Sequence, residues 1–255
     1  MITLFRRFRQ KLIDSGSVTK YLLYAVGEIT LVMIGILLAL QVNNWNEERK
    51  GVIEEIKILN ILQEDLETAK AQSVEYLRGE ERNKQVLMNI LIADSLEVIL
   101  NSELTDSLFQ NAIWVANFQV PVISAYNDLK NAGKTGLIHS QKIREQLSTL
   151  DLNISNLLTL LGDRLTVQQI RIDDIAAYKV NYLRLLTAAR DELNHITIGP
   201  ANNYKELMED QEVRNLLGIK LTMTITNVEY RLELLNQITA ILNLLEEELA
   251  VLEGT

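Results

Sequence analysis

No cysteine occurs in the 255 residues, which removes disulfides, thiol nucleophiles, thiolate metal sites and a cysteine-linked lipid anchor from consideration. An oxidising compartment remains permitted. Proline occurs twice, at Pro121 and Pro200, in a chain rich in Leu, Ile, Glu, Asn and Gln, so few positions force a helix to stop. Histidine also occurs twice. His139 and His195 fall in expected loops with neither an acid nor a second histidine at ligand spacing, so they read as solvent-exposed side chains and no metal or other cofactor is expected. Beyond the start, basic charge is outnumbered by acidic charge. Of the total net charge of −9, the first twenty residues hold five basic and one acidic side chain, a local +4, which leaves −13 on the remainder. An acidic body of this kind is a poor partner for nucleic acid or anionic lipid.

Long apolar runs are scarce too, and residues 21–42, YLLYAVGEITLVMIGILLALQV, form the only one able to cross a bilayer. At about 1.5 Å per residue the run gives roughly 33 Å of helix, against a hydrocarbon core of about 30 Å. Tyr21 and Tyr24 on one side and Trp45 on the other are amphipathic rings suited to the headgroup level. Arg6, Arg7, Arg9, Lys11 and Lys20 precede the run, whereas Arg49, Lys50 and Lys57 follow it closely, so the positive-inside rule puts the N-terminus in the cytoplasm. A cleaved signal peptide shares the basic start and apolar stretch. Against it, the stretch is longer, Glu28 interrupts it, and Ala39 has Leu37 rather than a small residue two places before it. The expected organisation is a basic cytoplasmic segment, 1–20, a transmembrane helix, 21–43, and a periplasmic body, 44–255, on a single-pass protein of the inner membrane of a Gram-negative cell.

Within the first segment Phe5, Phe8 and Leu12 share a helical face, with Arg6, Arg7, Arg9 and Lys11 around the remainder. Two readings stay open: an amphipathic helix on anionic lipid, or an unstructured basic flank that only sets topology. After Trp45, Val52, Ile56, Leu59, Leu62, Leu66, Leu87 and Ile90 continue a helical stripe, with a hinge allowed at Asn43, Asn44 and Asn46. The periodicity fails over 94–139. There Asp106 can start a helix through Trp114, Pro121 interrupts, and a brief helix from Ser124 ends at Gly133, which reads as a small distal cap.

A second long helix starts near Ser140 and carries Ile143, Leu147, Leu150, Ile154, Leu157, Leu161, Leu165, Ile172, Ile175, Tyr182 and Leu186. A third, from about Asp210 to Glu253, carries Leu217, Leu221, Val228, Leu232, Leu235, Leu242, Leu245, Leu249 and Leu252. The fold class is all-α: an N-terminal transmembrane helix continuing into an elongated antiparallel, coiled-coil-like bundle. By connectivity, the cap is expected at the end far from the membrane and the Gly199-Pro200 loop at the near end.

Residues 21–48 resemble a family of uncharacterised single-span proteins common in Bacteroidetes. The likeness is carried by Tyr24-Ala25, Gly27-Glu28-Ile29, Leu31-Val32, Ile34-Gly35-Ile36-Leu37, Ala39-Leu40-Gln41 and Asn43-Asn44-Trp45-Asn46-Glu47. A second likeness lies in Ala125-Tyr126-Asn127-Asp128-Leu129-Lys130, Gly133 and Leu137-Ile138. The resemblance implies an inner-membrane location and carries no activity.

Glu28 is the residue with the clearest chemical question, because a carboxylate in hydrocarbon costs about 2.5–3.5 kcal/mol and so usually faces a partner, a cavity or a proton path. On a helical wheel positions 28, 35, 39 and 42 share a face, and Gly35-x-x-x-Ala39 is a small-x-x-x-small pattern that lets backbones approach closely. That face is expected to pack against other copies. The alternative is an isolated helix with protonated Glu28 and incidental small residues. Asp173-Asp174 and Glu246-Glu247-Glu248 lack a glycine-centred calcium loop and read as solvated faces, while Thr222, Thr224 and Thr226 read as hydroxyls bonded back to helix carbonyls. Gly133-Lys134-Thr135 lacks the upstream glycine of a phosphate loop. Trp114, Phe118 and Tyr126 read as core of a small helical unit.

No nucleophile with a base and an orienting group is present, so catalysis is not expected. The expected function is a self-associating, non-enzymatic periplasmic scaffold or interaction module, with the lipid bilayer, further copies and other membrane proteins as partners. Two alternatives remain, an accessory ligand-sensing subunit and an ion-coupling subunit using Glu28.

Overall fold

Steps of three and four residues keep side chains on one side of a helix, and three stretches of this chain sustain such stripes over many turns. The computed structural model describes residues 18–92, 105–193 and 195–254, and among them all regular structure is helical, with no strand. The all-α expectation with a long apolar N-terminal helix is met. The segment bearing Arg6, Arg7, Arg9 and Lys11 lies outside the described residues, as do residues 94–104 of the expected cap.

Helix α1 spans Val18–Leu91, unbroken at Asn43, Asn44, Asn46 and Gly79. It is followed by α2, Thr105–Trp114, α3, Ser124–Asn131, α4, Gln141–Val167, α5, Tyr182–Ala189, α6, Tyr204–Glu209, and α7, Gln211–Glu253. The chain divides into two units, residues 1–56 and 57–255. The described part of the first is helix alone.

In the second unit α1, α4 and α7 bury their stripes together: Leu59, Leu62, Leu66 and Ala69 from α1, Ile143, Leu147, Leu150, Leu157 and Leu161 from α4, and Leu234, Ile238, Ile241, Leu242, Leu245 and Leu249 from α7. Helices α4 and α7 run antiparallel, since Asn153 pairs with Gln237 at 2.8 Å and Arg164 with Thr224 at 3.4 Å. Helices α1 and α4 run parallel, a difference from the expected all-antiparallel bundle. Glu80 meets Arg164, while Leu87 and Ile90 join Ile172 and Ile175 in one core further along both chains.

The physical reason lies in residues 115–140, which run back beside α1 past Gln72 and Asp65 toward Ile58 before α4 begins. Val122 N–H donates to the Gln72 side chain and Ala125 N–H donates to Asp65 at 2.8 Å. Lys130 then pairs with Asp151 on α4 at 2.7 Å. Pro121 suits this extended stretch, having no N–H to satisfy. Helix α3 closes as expected at Gly133, whose φ of +67° and N–H bond to Lys130 C=O make the helix-ending turn.

The expected second helix is shorter than its apolar stripe. The α-helix ends at Val167, two π turns follow at Gln168–Ile172 and Ile175–Lys179, and Val180 is extended. A π turn takes in more residues than an α turn, so the stripe changes register while Ile172 and Ile175 stay buried. Here α2, α5 and α6 gather around a second core: Phe109 stacks on Tyr204 at 4.2 Å beside Leu185, Leu207, Val213 and Leu217.

The Gly199-Pro200 loop belongs to this same end. Gly199 has φ +59°, the Asn181 amide donates to Ile198 C=O at 2.6 Å and Pro200 C=O at 2.9 Å, and Asn202 donates to Asp106 of α2 at 3.2 Å. The two features expected at opposite ends are thus joined through Asp106, because the return segment carries the chain back before α4 begins. Helix α7 starts where expected, with Asp210 accepting from the Glu212 N–H at 2.9 Å as its N-cap.

Leu147 is fully buried, so Leu147→Ala is expected to lower stability by about 2–5 kcal/mol, read as a fall in the urea midpoint of the full chain in detergent. Leu152, largely exposed on the same helix, is the control; Leu152→Ala should change it by no more than about 0.5 kcal/mol.

Candidate functional site

Two places carry chemistry that packing alone does not explain. The first is the apolar face of residues 22–42 in the N-terminal unit. Thirteen large apolar side chains there, from Leu22 to Val42, are each more than half exposed. The helix has the length and composition to cross a membrane. Glu28 is exposed on it, and a Cβ built on Gly35 meets nothing within 4 Å, so this position is open to close approach by another helix. Ala39 is likewise exposed, Trp45 is exposed beyond the run, and Tyr21 and Tyr24 lie on its N-terminal part. Thr30 bonds back to Val26 C=O at 2.8 Å, so it adds no free hydroxyl.

The second is a layer of polar side chains in the middle of the bundle, occupying positions where the stripes would otherwise place leucine. From α1 come Ser73, Tyr76 and Glu80, from α4 Arg164, and from α7 Lys220, Thr224, Asn227 and Arg231; Gln168 follows on the first π turn. Apart from the half-buried Tyr76, all are buried. The layer separates the leucine core of one end from the Phe109–Tyr204 core of the other.

Glu80 accepts from Arg164 Nη1 with both oxygens, at 2.8 and 2.9 Å. Arg164 Nη2 reaches Thr224 Oγ1, whose hydroxyl donates to Lys220 C=O at 2.9 Å. The Lys220 ammonium and the Gln168 amide both donate to the carbonyl of Ile113 at the end of α2. Arg231 donates to Asn117 C=O at 3.2 Å, and its guanidinium lies 5.7 Å from the centre of the Tyr76 ring. Several groups find no hydrogen-bond partner: Nε of Arg164, Nε of Arg231, Oε1 of Gln168, and both polar atoms of the Asn227 amide.

Beside this layer a groove of about 670 Å³ opens between α1 and residues 115–119, lined by Gly79, Asn83, Val86, Asn111, Asn117 and Phe118 among others. A smaller groove over Ile58, Ile61 and Leu129 is almost wholly apolar. His139 and His195 are exposed and lie in separate loops. Thr222, Thr224 and Thr226 all bond back to carbonyls four residues earlier, as read from sequence, and Tyr126 is buried under Lys130. Trp114 meets Tyr182 edge to face at 5.7 Å.

Residues 28–224 match the family described as "Family of unknown function (DUF6090)". The chain belongs to that family. The DUF6090 match begins at Glu28, takes in Gly35, Ala39, Trp45, Glu80, Arg164 and Lys220, and ends at Thr224, short of Asn227 and Arg231. No curated protein and no solved structure matches the chain.

Apolar stripes alone do not reveal the buried layer. Its signal is the run Lys220, Thr224, Asn227, Arg231, spaced four, three and four, which is a core stripe written in polar residues. Burial pulls Lys220 down from the usual lysine value to about 7, with the Arg164 charge adding to the effect and Glu80 opposing it. Burial likewise lowers Arg231. Glu80 is the carboxylate of the layer, so breaking its pair strands a charge in the core.

Glu80→Gln is expected to cost roughly 3–5 kcal/mol in urea titration, and Glu80→Leu combined with Arg164→Met should cost less than either change alone. The ordinary value for Lys220 is 10.5 against about 7 in the fold. Between these values the unfolded chain holds a proton that the folded chain has released, so stability rises with pH and falls as pH drops toward 7. The urea midpoint should therefore climb from about pH 7.5 to about pH 9.5, and Lys220→Met should flatten that climb.

Proposed function

We propose that this protein is a non-enzymatic, single-pass inner-membrane protein whose N-terminus is cytoplasmic, whose body from residue 44 onward is periplasmic, and which self-associates as a scaffold or interaction module. The observation that carries this reading is the exposed apolar surface of residues 22–42. Thirteen such side chains at about 1.5 kcal/mol each put the penalty of leaving that surface in water on the order of 20 kcal/mol, a penalty that lipid removes. Self-association is supported by the open face at Gly35 and Ala39, in line with Glu28, where close approach shields a carboxylate that is costly in hydrocarbon. Glu28 gathered near the axis of such an assembly is also what ion coupling would need.

The absence of cysteine makes the test clean. Single cysteines at Gly35, Ala39 and Leu37 are oxidised in native membranes and the products read on a non-reducing gel. Disulfide-linked products are expected at 35 and 39 and not at 37, which lies on the opposite side of the helix. Equal bonding at all three, or none at any, would overturn a specific face. Glu28→Gln then separates roles: loss of the crosslinks marks packing, whereas intact crosslinks with loss of a cellular phenotype mark ion coupling.

A further inference from the structure

We propose that the polar layer of the bundle is a binding site for one small oxyanion, a carboxylate or a phosphate, held between Arg164, Asn227 and Arg231 in the positive field of Lys220. The proposal uses only residues of the second unit and stands apart from any role of the span.

Charge is the first argument. Arg164, Lys220 and Arg231 are each about 98 % buried, and Glu80 is the one carboxylate that pairs with them among the described residues. With Lys220 neutral, one guanidinium still lacks a counter-charge; with it protonated, two positive charges do. Buried ions are ordinarily paired, because the cost of removing them from water is several kcal/mol each. The remaining partners of these cations are neutral oxygens: Ile113 C=O, Asn117 C=O and the Thr224 hydroxyl.

Unmet hydrogen bonding is the second, independent argument. Arg164 Nε and Arg231 Nε are N–H donors without an acceptor, as is Nδ2 of the fully buried Asn227, whose unpartnered Oδ1 calls instead for a donor such as a protonated phosphate oxygen or a water bound beside the anion. Asn227 lies one turn from Arg231 and three residues from Thr224, the residue that meets Arg164, so the orphaned donors converge on one stretch of α7. An oxyanion supplies several acceptor lone pairs and the missing negative charge together. Water supplies the lone pairs without the charge, a metal cation adds to the surplus, and an apolar ligand leaves every donor unmet.

Access is the third. The groove beside the layer is lined by Asn117, whose carbonyl holds Arg231, and by Asn83, whose buried Nδ2 has no partner. Gly79 forms part of its wall, beside the Asn117 side chain.

The test is thermal unfolding of the purified full chain in detergent, titrated with inorganic phosphate, sulfate or acetate at constant ionic strength. A saturable rise in the unfolding midpoint is expected with at least one probe, and at a hundred times the Kd the folded-to-unfolded ratio should rise about a hundredfold. Arg231→Met should abolish it. Because that variant also disturbs packing against Tyr76, Asn227→Leu decides the matter: it removes an unpartnered amide, should fold at least as well as the parent, and should weaken the response at least tenfold. No saturable response to any probe, or an equal response in Asn227→Leu, would overturn the site and leave the layer filled by water alone.

Discussion

The pair between Glu80 and Arg164 holds the bundle in register. It joins side chains 84 residues apart in sequence, both are sealed from solvent, and the same guanidinium reaches Thr224 of α7. A bundle of leucine stripes alone tolerates sliding by a heptad, because each leucine finds an equivalent hole one repeat along. One carboxylate opposed to one guanidinium in a dry core does not tolerate it, since a slip leaves both charges buried and separate. The three long helices therefore have one alignment, and the Phe109–Tyr204 core at one end is assembled by that alignment.

Much of this architecture is written in local chemistry. Asp210 caps α7, Gly133 ends α3, and the fully buried Leu147, Leu150, Ile143 and Leu245 sit at the apolar steps that mark a helix packed along its length. The apolar run of residues 22–42 and its embedded Glu28 are equally plain from the order of residues. What is hidden follows from reading only apolar positions as core. Leu232 and Leu165 look like members of a stripe and are exposed, whereas Arg231 and Arg164, their neighbours, take the buried seats. A reading by hydropathy assigns those arginines to solvent, and no single-residue property reverses the assignment. Only the partner charge on another helix does.

The direction of the helices was hidden for a different reason. Connectivity by short loops favours antiparallel neighbours, and the weak periodicity of residues 94–139 suggested a compact cap. The decisive contacts, Asp65 with the Ala125 N–H and Gln72 with the Val122 N–H, are made by an extended backbone that carries no periodic signal. The π turns after Val167 are hidden likewise, since their residues continue the same composition as the α-helix before them. The DUF6090 match takes in the apolar run from Glu28 onward, the return segment and most of the polar layer, so these features belong to one family unit.

The parallel course of α1 and α4 also sets the order in which the body can be completed during synthesis. Of the long helices only α4 and α7 are antiparallel neighbours in sequence: α1 must wait for α4 across the return segment, and both must wait for the 43-residue α7. Contacts this distant in sequence slow folding, because the loop entropy is spent before the contacts form. Until α7 leaves the ribosome, the leucines of α1 and α4 and the ion pair between them lack their third wall. The C-terminal helix is thus the lock of the assembly, and a chain truncated within it would present an open, partly charged trough instead of a shortened bundle.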